Sequence, residues 1–300
     1  MAVVDLHIGS RLNRLQCMNR PQLLRFLRGQ IAARRTDKSD FAIVLRGAVD
    51  ILVEHHEVAF SRPIQNQNDL ESPSLFQIGR ISHAETKRAE MTAAVAAATV
   101  SYLGGWGAFH SLGSGHFLHL RPGPLEWAIV TAAFLDNVPV IQALLTLLPP
   151  PATGTRPLAN PLRMAVRMGH YDVVRLLLDN GGDVNHSFPR GEWTSGRTTV
   201  LEEACTAGLT EIVELLLNPC YRQKISGPSY EAAILAAATY HHRAHAVGCN
   251  GKQRIIQILL ERGQFENLPR LKRAITSEAN LFGCDELGRM MLNEGVDVIV

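Results

Sequence analysis

Residues 160–185, NPLRMAVRMGHYDVVRLLLDNGGDVN, decide the fold. Asn160 can accept a hydrogen bond from a free backbone N–H at a helix start, and Pro161 suits a first helical position. Leu162, Ala165 and Val166 then lie on one face of a short helix, and Gly169 can leave it with a positive φ. Past His170, Val173, Val174, Leu176, Leu177 and Leu178 mark a second amphipathic helix, closed by Gly181-Gly182-Asp183. The spacing predicts two short antiparallel helices with apolar residues on both outer flanks. Such a pair cannot bury itself, so copies must stand on either side of it.

The segment resembles an ankyrin repeat. The Asn160-Pro161-Leu162-Arg163 start, the Gly169-His170 turn, the run of aliphatics in the second helix and the Gly181-Gly182-Asp183-Val184-Asn185 exit carry the resemblance. Arg163 stands where the family has a histidine that ties neighbouring repeats together. A search for further copies finds a second match that starts 39 residues on. There Leu201, Ala204, Gly208, Ile212, Val213 and Leu215 to Leu217 repeat the offsets of the first. A third copy aligns through Ala233 and Ala236, and its second helix, Ile255, Ile256, Leu259 and Leu260, arrives after an insertion. A fourth runs through Leu271, Ala274 and Met290 to Leu292. Upstream, Leu125 aligns with Leu162 at an interval of 37, which implies added residues before Ile141.

The resemblance implies an all-α ankyrin-repeat solenoid over residues 121–300, about five units, with a helical N-terminal region over 1–120. That first region reads as amphipathic helices near 20–35 and 40–56, where Ile43, Val44, Ala48, Ile51 and Leu52 share helical spacing. A longer helix is expected at 84–103. These elements are either drifted repeats or a cap over the first repeat.

Hydrophobic residues make up 46% of the chain and charged ones 19%, the balance of a packed protein rather than a disordered one. Aromatics are 6%, so small residues must carry much of the packing. A net charge of +2, with the N-terminal arginines spread as a solvated face, points away from nucleic acid. The five cysteines form no Cys-x-x-Cys pair, which suits reduced thiols inside the cell, cytoplasmic or nuclear. Residues 91–120 lack Asp, Glu, Lys and Arg, but their five glycines, three histidines and many small polar side chains argue against a membrane span.

Signatures of chemistry are weak. From Gly105 and Gly107 a dinucleotide-binding turn would need a glycine at 110, where His110 stands. No Gly-x-Ser-x-Gly surrounds Ser111 or Ser114. His241, His245 and Cys249 have the residue types and helical spacing of a zinc site, but Gly248 and Asn250-Gly251 break the helix, and a histidine-bearing insertion fits better. The reading requires no cofactor and no catalytic residue.

What remains is a binding surface for a protein partner. The resemblance implies that Arg163, Arg167 and Met168, and in the next unit Glu202, Glu203 and Thr206, look into a concave groove. The connection HSFPRGEWTSGRTT, residues 186–199, is longer than the family period and carries Phe188, Arg190, Trp193 and Arg197, of which Trp and Arg are types that dominate interface energetics. The other reading of the chain is an ankyrin adaptor attached to an N-terminal domain with an enzymatic or regulatory task.

Overall fold

The computed structural model describes residues 20–32, 40–55, 83–103, 123–148, 158–189, 197–221, 225, 227–239, 249–262, 271–273 and 275–277. The chain divides into two compact units, residues 1–165 with 189–196, and residues 166–188 with 197–300. Among the described residues the fold is all-α, apart from one two-stranded ribbon.

In the first unit, α1 (Arg20–Ala32), α2 (Asp40–Glu54) and α3 (His83–Leu103) precede α4 (Pro124–Phe134) and α5 (Val138–Thr146). The helix α6 (Ala159–Met168) crosses the division between units. The element α1 packs on α2 and α3; α4 packs on α2, α3 and α5. Leu23, Leu27 and Ile31 form a buried stripe four residues apart on α1. The buried face of α2 is Ala42, Leu45, Ala48, Val49 and Leu52. It is therefore turned from the expected one: Ile43 is exposed and Ile51 only half-buried. The α3 core face is built of Met91, Val95, Ala96 and Ala98, with Thr99 buried among them and its hydroxyl donating back to Val95 O at 2.7 Å. Small side chains let this helix approach its neighbours closely, as the low aromatic content anticipates.

The division between α4 and α5 corrects the upstream alignment. The break comes at Asp136 (φ 55), and Asn137 caps α5 by accepting from Val140 N at 3.1 Å. In the next copy the same two places are Gly169 (φ 77) and His170, 33 residues later. The residue that matches Leu162 is thus Ile129, not Leu125, and no residues are added before Ile141. Asp136 hid the register because it adopts the left-handed turn where the other copies use glycine.

Burial repeats with the same period. First helices bury Ala128, Ile129, Ala132 and Ala133 in α4, then Pro161, Leu162, Ala165 and Val166 in α6. Second helices bury Val140, Ile141, Leu144 and Leu145 in α5, then Val173, Val174, Leu177 and Leu178 in α7 (Tyr171–Asp179). Adjacent pairs on a helix, one turn apart, make a stripe that faces two neighbours at once.

In the second unit, α7 is followed by β1 (Ser187–Pro189), β2 (Arg197–Thr199), α8 (Val200–Ala207), α9 (Thr210–Leu216), a 3₁₀ turn at Pro219–Tyr221, α10 (Gly227–Thr239) and α11 (Cys249–Arg262). Residues 271–273 and 275–277 are helical. The quartet recurs as Val200, Leu201, Ala204 and Cys205 in α8 and, 33 residues on, as Ala233, Ile234, Ala237 and Ala238 in α10. The third copy thus lies one residue later than expected: Ile234 and Ala237, not Ala233 and Ala236, match Leu201 and Ala204, and Ala236 is half-buried beside the stripe. Ile212, Val213 and Leu216 in α9 with Leu217 at its C-cap, and Ile255, Ile256 and Leu259 in α11, complete the pairs. The helices α8 and α10 pack together, as do α9 and α11. The Gly-Gly-Asp-Val-Asn exit closes as the sequence suggests: Gly181 has φ 88, Val184 is buried, and Asp183 accepts from Asn185 N at 2.9 Å.

Candidate protein-binding surface

The long connection between α7 and α8 is the best-built surface feature. Its strands β1 and β2 pair, and residues 190–196 join them. The base of this ribbon is fixed on both sides. Phe188 is fully buried, edge-on to His186 with ring centroids 4.7 Å apart. Arg197 donates from Nε to Ser187 Oγ at 2.7 Å and from its terminal nitrogen to Ser187 O.

The C-terminal end of the ribbon is locked to α8. Thr199 accepts from Glu202 N at 3.3 Å, and Glu202 returns its carboxylate to Thr199 N at 3.2 Å, a reciprocal capping box. Thr199→Ala should cost the second unit about 1 kcal/mol. Urea unfolding followed by far-UV circular dichroism checks it; an unchanged midpoint would mean that the cap is idle.

The expected groove residues separate in this structure. Arg167 and Met168 are exposed at the end of α6, Met168 at 40%. Glu203 is half-buried in the first turn of α8, as is Thr206 farther along. Glu202 corrects the expectation: only 4% exposed and engaged in the capping box, it holds the helix start rather than facing a partner. Its Thr-x-x-Glu spacing is a legible capping signal that the groove alignment overrode. Arg197 is exposed, but its guanidinium braces the ribbon. Arg190 and Trp193 lie outside the described residues, as do His241 and His245 and the side chain of Cys249. Among the described residues no group of three or more His, Cys, Asp or Glu is placed to hold a metal.

Arg163 leads to a cluster that sequence reading missed. Its guanidinium carbon sits 5.8 Å from the ring centre of Tyr102, at the end of α3. Tyr102 meets Trp127 edge-on at 5.4 Å and donates its hydroxyl hydrogen to Asn160 Oδ1. Asn160 Nδ2 donates in turn to Glu126 Oε1 at 2.6 Å. Asn160, expected to cap, therefore stands inside the first turn of α6, and its side-chain amide bridges α3 and α4 instead. The first ladder bond of α6 runs from Leu162 N to Leu158 O at 2.9 Å, so Pro161 lies where no donor is needed. Burial pushes the Glu126 carboxyl up from 4.5 to about 7, and the Asn160 hydrogen bond opposes that rise. Residues 58 and 34 apart in sequence meet here, and no local motif announces them.

No helix of the described residues is long and apolar enough to cross a membrane; the charge-free stretch from Met91 enters α3, which ends at Leu103.

Helix pairs with a shared buried quartet, left-handed turns between helices and a two-stranded ribbon define a helical-repeat protein. Residues 129–226 match the family model of ankyrin repeats in three copies. Over that stretch the chain carries ankyrin repeats, which indicate a protein-interaction module. Over 103 residues it is 34% identical to the E3 ubiquitin-protein ligase XBAT33 of Arabidopsis thaliana and 33% identical to the probable E3 ubiquitin-protein ligase XBOS33 of Oryza sativa subsp. japonica. The aligned stretch is 34% of this chain and 17% of either relative.

Proposed function

We propose that the chain is a non-catalytic ankyrin-type scaffold inside the cell, which holds a protein partner through its turn finger and the exposed ends of its first helices. The ribbon at 187–199 carries this reading. Phe188, the Arg197–Ser187 bonds and the Thr199–Glu202 box fix both ends of the 190–196 connection, which contains Arg190 and Trp193. Pre-ordering the base lowers the conformational cost of binding through the residues between. Arg167 and Met168 supply exposed charge and apolar area of the kind such a partner would cover. Helices α10 and α11 and the helical residues 271–273 and 275–277 suit further units of such an array. The packing of α2 and α3 on α4 suits a cap over the first matched repeat.

Replacing Arg190 and Trp193 together by alanine should weaken partner binding about a hundredfold, the loss of two interface anchors, with little change in melting temperature. Quantitative affinity purification with the double variant as control identifies the partners, and titration against the retained one measures the effect. Equal retention by both chains would refute the finger reading, and so would a large fall in melting temperature, which would make Trp193 structural.

The similarity to ubiquitin ligases favours a second reading, in which the repeats serve a chain that takes part in ubiquitin transfer. Incubation of the full chain with ubiquitin, an activating enzyme and a panel of conjugating enzymes decides between them. Chain-dependent conjugates support the second reading; partner capture without conjugates leaves the scaffold.

A further inference from the structure

We propose that Tyr102, Asn160 and Glu126 form a proton-sensitive latch, which holds the end of α3 on the first helices α4 and α6 while Glu126 is protonated and loosens when it ionises. The hydrogen-bond chain joins three helices through one amide: Asn160 accepts from Tyr102 of α3 and donates to Glu126 of α4. The ring of Tyr102 also lies under Arg163 and edge-on to Trp127, so whatever moves Tyr102 changes the surroundings of both.

The neighbourhood leaves Glu126 as the group that switches. From α6 it meets Asn160, while Arg163 is seated on the Tyr102 ring. From α3 the nearby ionisable group is Tyr102; the others, His83, Glu85, Lys87, Arg88 and Glu90, lie at the far end of the helix, about 18 Å or more along its axis at 1.5 Å per residue. The sequence of α5, VPVIQALLT, has no ionisable side chain. On α2, Arg46 donates to Ala42 O and Asp50 pairs with Arg88 at 2.6 Å, while Asp40 and Glu54 stand at the two ends. Burial, rather than a neighbouring charge, sets the titration of Glu126 near pH 7.

The sign follows from linkage. The folded chain holds this proton more tightly than the unfolded one, so the stabilisation is fully present below the ordinary carboxyl value of 4.5 and is lost as pH rises through about 7. Ionisation strengthens the Asn160 bond, but the cost of burying the charge is the larger effect, so the ionised carboxylate draws in water at the α3–α4–α6 junction. If the first-helix face binds a partner, as proposed above, the latch also governs exposure of Arg163; the latch itself does not depend on that reading.

The test uses the full chain with Trp106 and Trp193 replaced by phenylalanine, which leaves Trp127 as its tryptophan. Trp127 emission is followed from about pH 5 to about pH 9, a range that brackets carboxyl and histidine titrations. A single transition with its midpoint near 7 is expected, and Glu126→Gln, close to isosteric and neutral, should abolish it. A transition that persists in Glu126→Gln belongs to another group and overturns the proposal, as does an emission that does not change with pH. Asn160→Leu removes the bond that favours the ionised form and should move the midpoint upward. An unmoved midpoint overturns the latch even where Glu126→Gln fails to fold by circular dichroism. None of these readings involves a partner, so loss of partner binding with the titration intact would count against the scaffold function alone.

Discussion

Leu177→Ala should destabilise the second unit by about 3 kcal/mol, among the largest losses a single truncation can give. Leu177 lies on α7 with no exposed surface, and Val173, Val174 and Leu178 of the same stripe are buried beside it. Deleting its outer carbons removes their transfer free energy and leaves a cavity that the short helix cannot close without lifting its neighbours in the stripe. The adjacent Leu176 is the control: half-buried at the same helix and of the same size, it should cost about 1 kcal/mol when cut to alanine. Urea unfolding of both variants, followed by far-UV circular dichroism, makes the comparison at equal helix propensity. Similar losses at the two positions would mean that the second helix is not seated by the stripe. Because repeats contact only their neighbours, the damage should appear as an early transition of part of the array rather than a uniform shift.

The stripe also explains what could be read from the sequence and what could not. Residues 160–185 were legible because a helix pair with a glycine turn states its own geometry, and the copy at Leu201 repeated it. The upstream copy was placed four residues off for one physical reason: Asp136 takes the left-handed conformation that glycine advertises elsewhere. Once φ is known, Ile129 falls into register with Leu162. On α2 the apolar residues Ile43 and Ile51 drew the expected face around the helix, whereas Ala42 and Ala48, weak signals in a sequence, line the actual one.

At the surface, local and distant determinants part in the same way. The Thr199–Glu202 box is a four-residue motif and could be read directly. It competed with an alignment that treated Glu202 as a groove residue, and the backbone N–H of Thr199, the cap of α8, holds its carboxylate. The Tyr102–Asn160–Glu126 chain could not be read, since each residue alone suggests a surface or cap role. Only the packing of α3 and α4 brings them together, and periodicity within one helix carries no information about which other helix it will meet.

A close approach in that first unit sets up the second large effect. Gly47, in the middle of α2, faces the ring of Pro124: a Cβ there would lie 2.9 Å from Pro124 Cβ and 3.0 Å from its Cγ. On an isolated helix Gly→Ala would stabilise by about 1 kcal/mol. Here the contact opposes that gain, because the proline ring opens α4, its φ is fixed, and it cannot rotate away as a flexible side chain would. Overpacking of this kind costs about 1–3 kcal/mol, so Gly47→Ala should be neutral to destabilising despite the better helix former. Gly47→Leu adds three more carbons against the same ring and should cost about 3 kcal/mol, as α4 must move off α2. A stabilised alanine variant would show that the helices do not approach as closely as these distances require. Pro124 is two residues from Glu126, so the displacement that accommodates leucine also draws Glu126 from Asn160. In Gly47→Leu the pH response of Trp127 should therefore weaken together with stability, while Leu177→Ala, in the other unit, lowers stability and leaves that response in place.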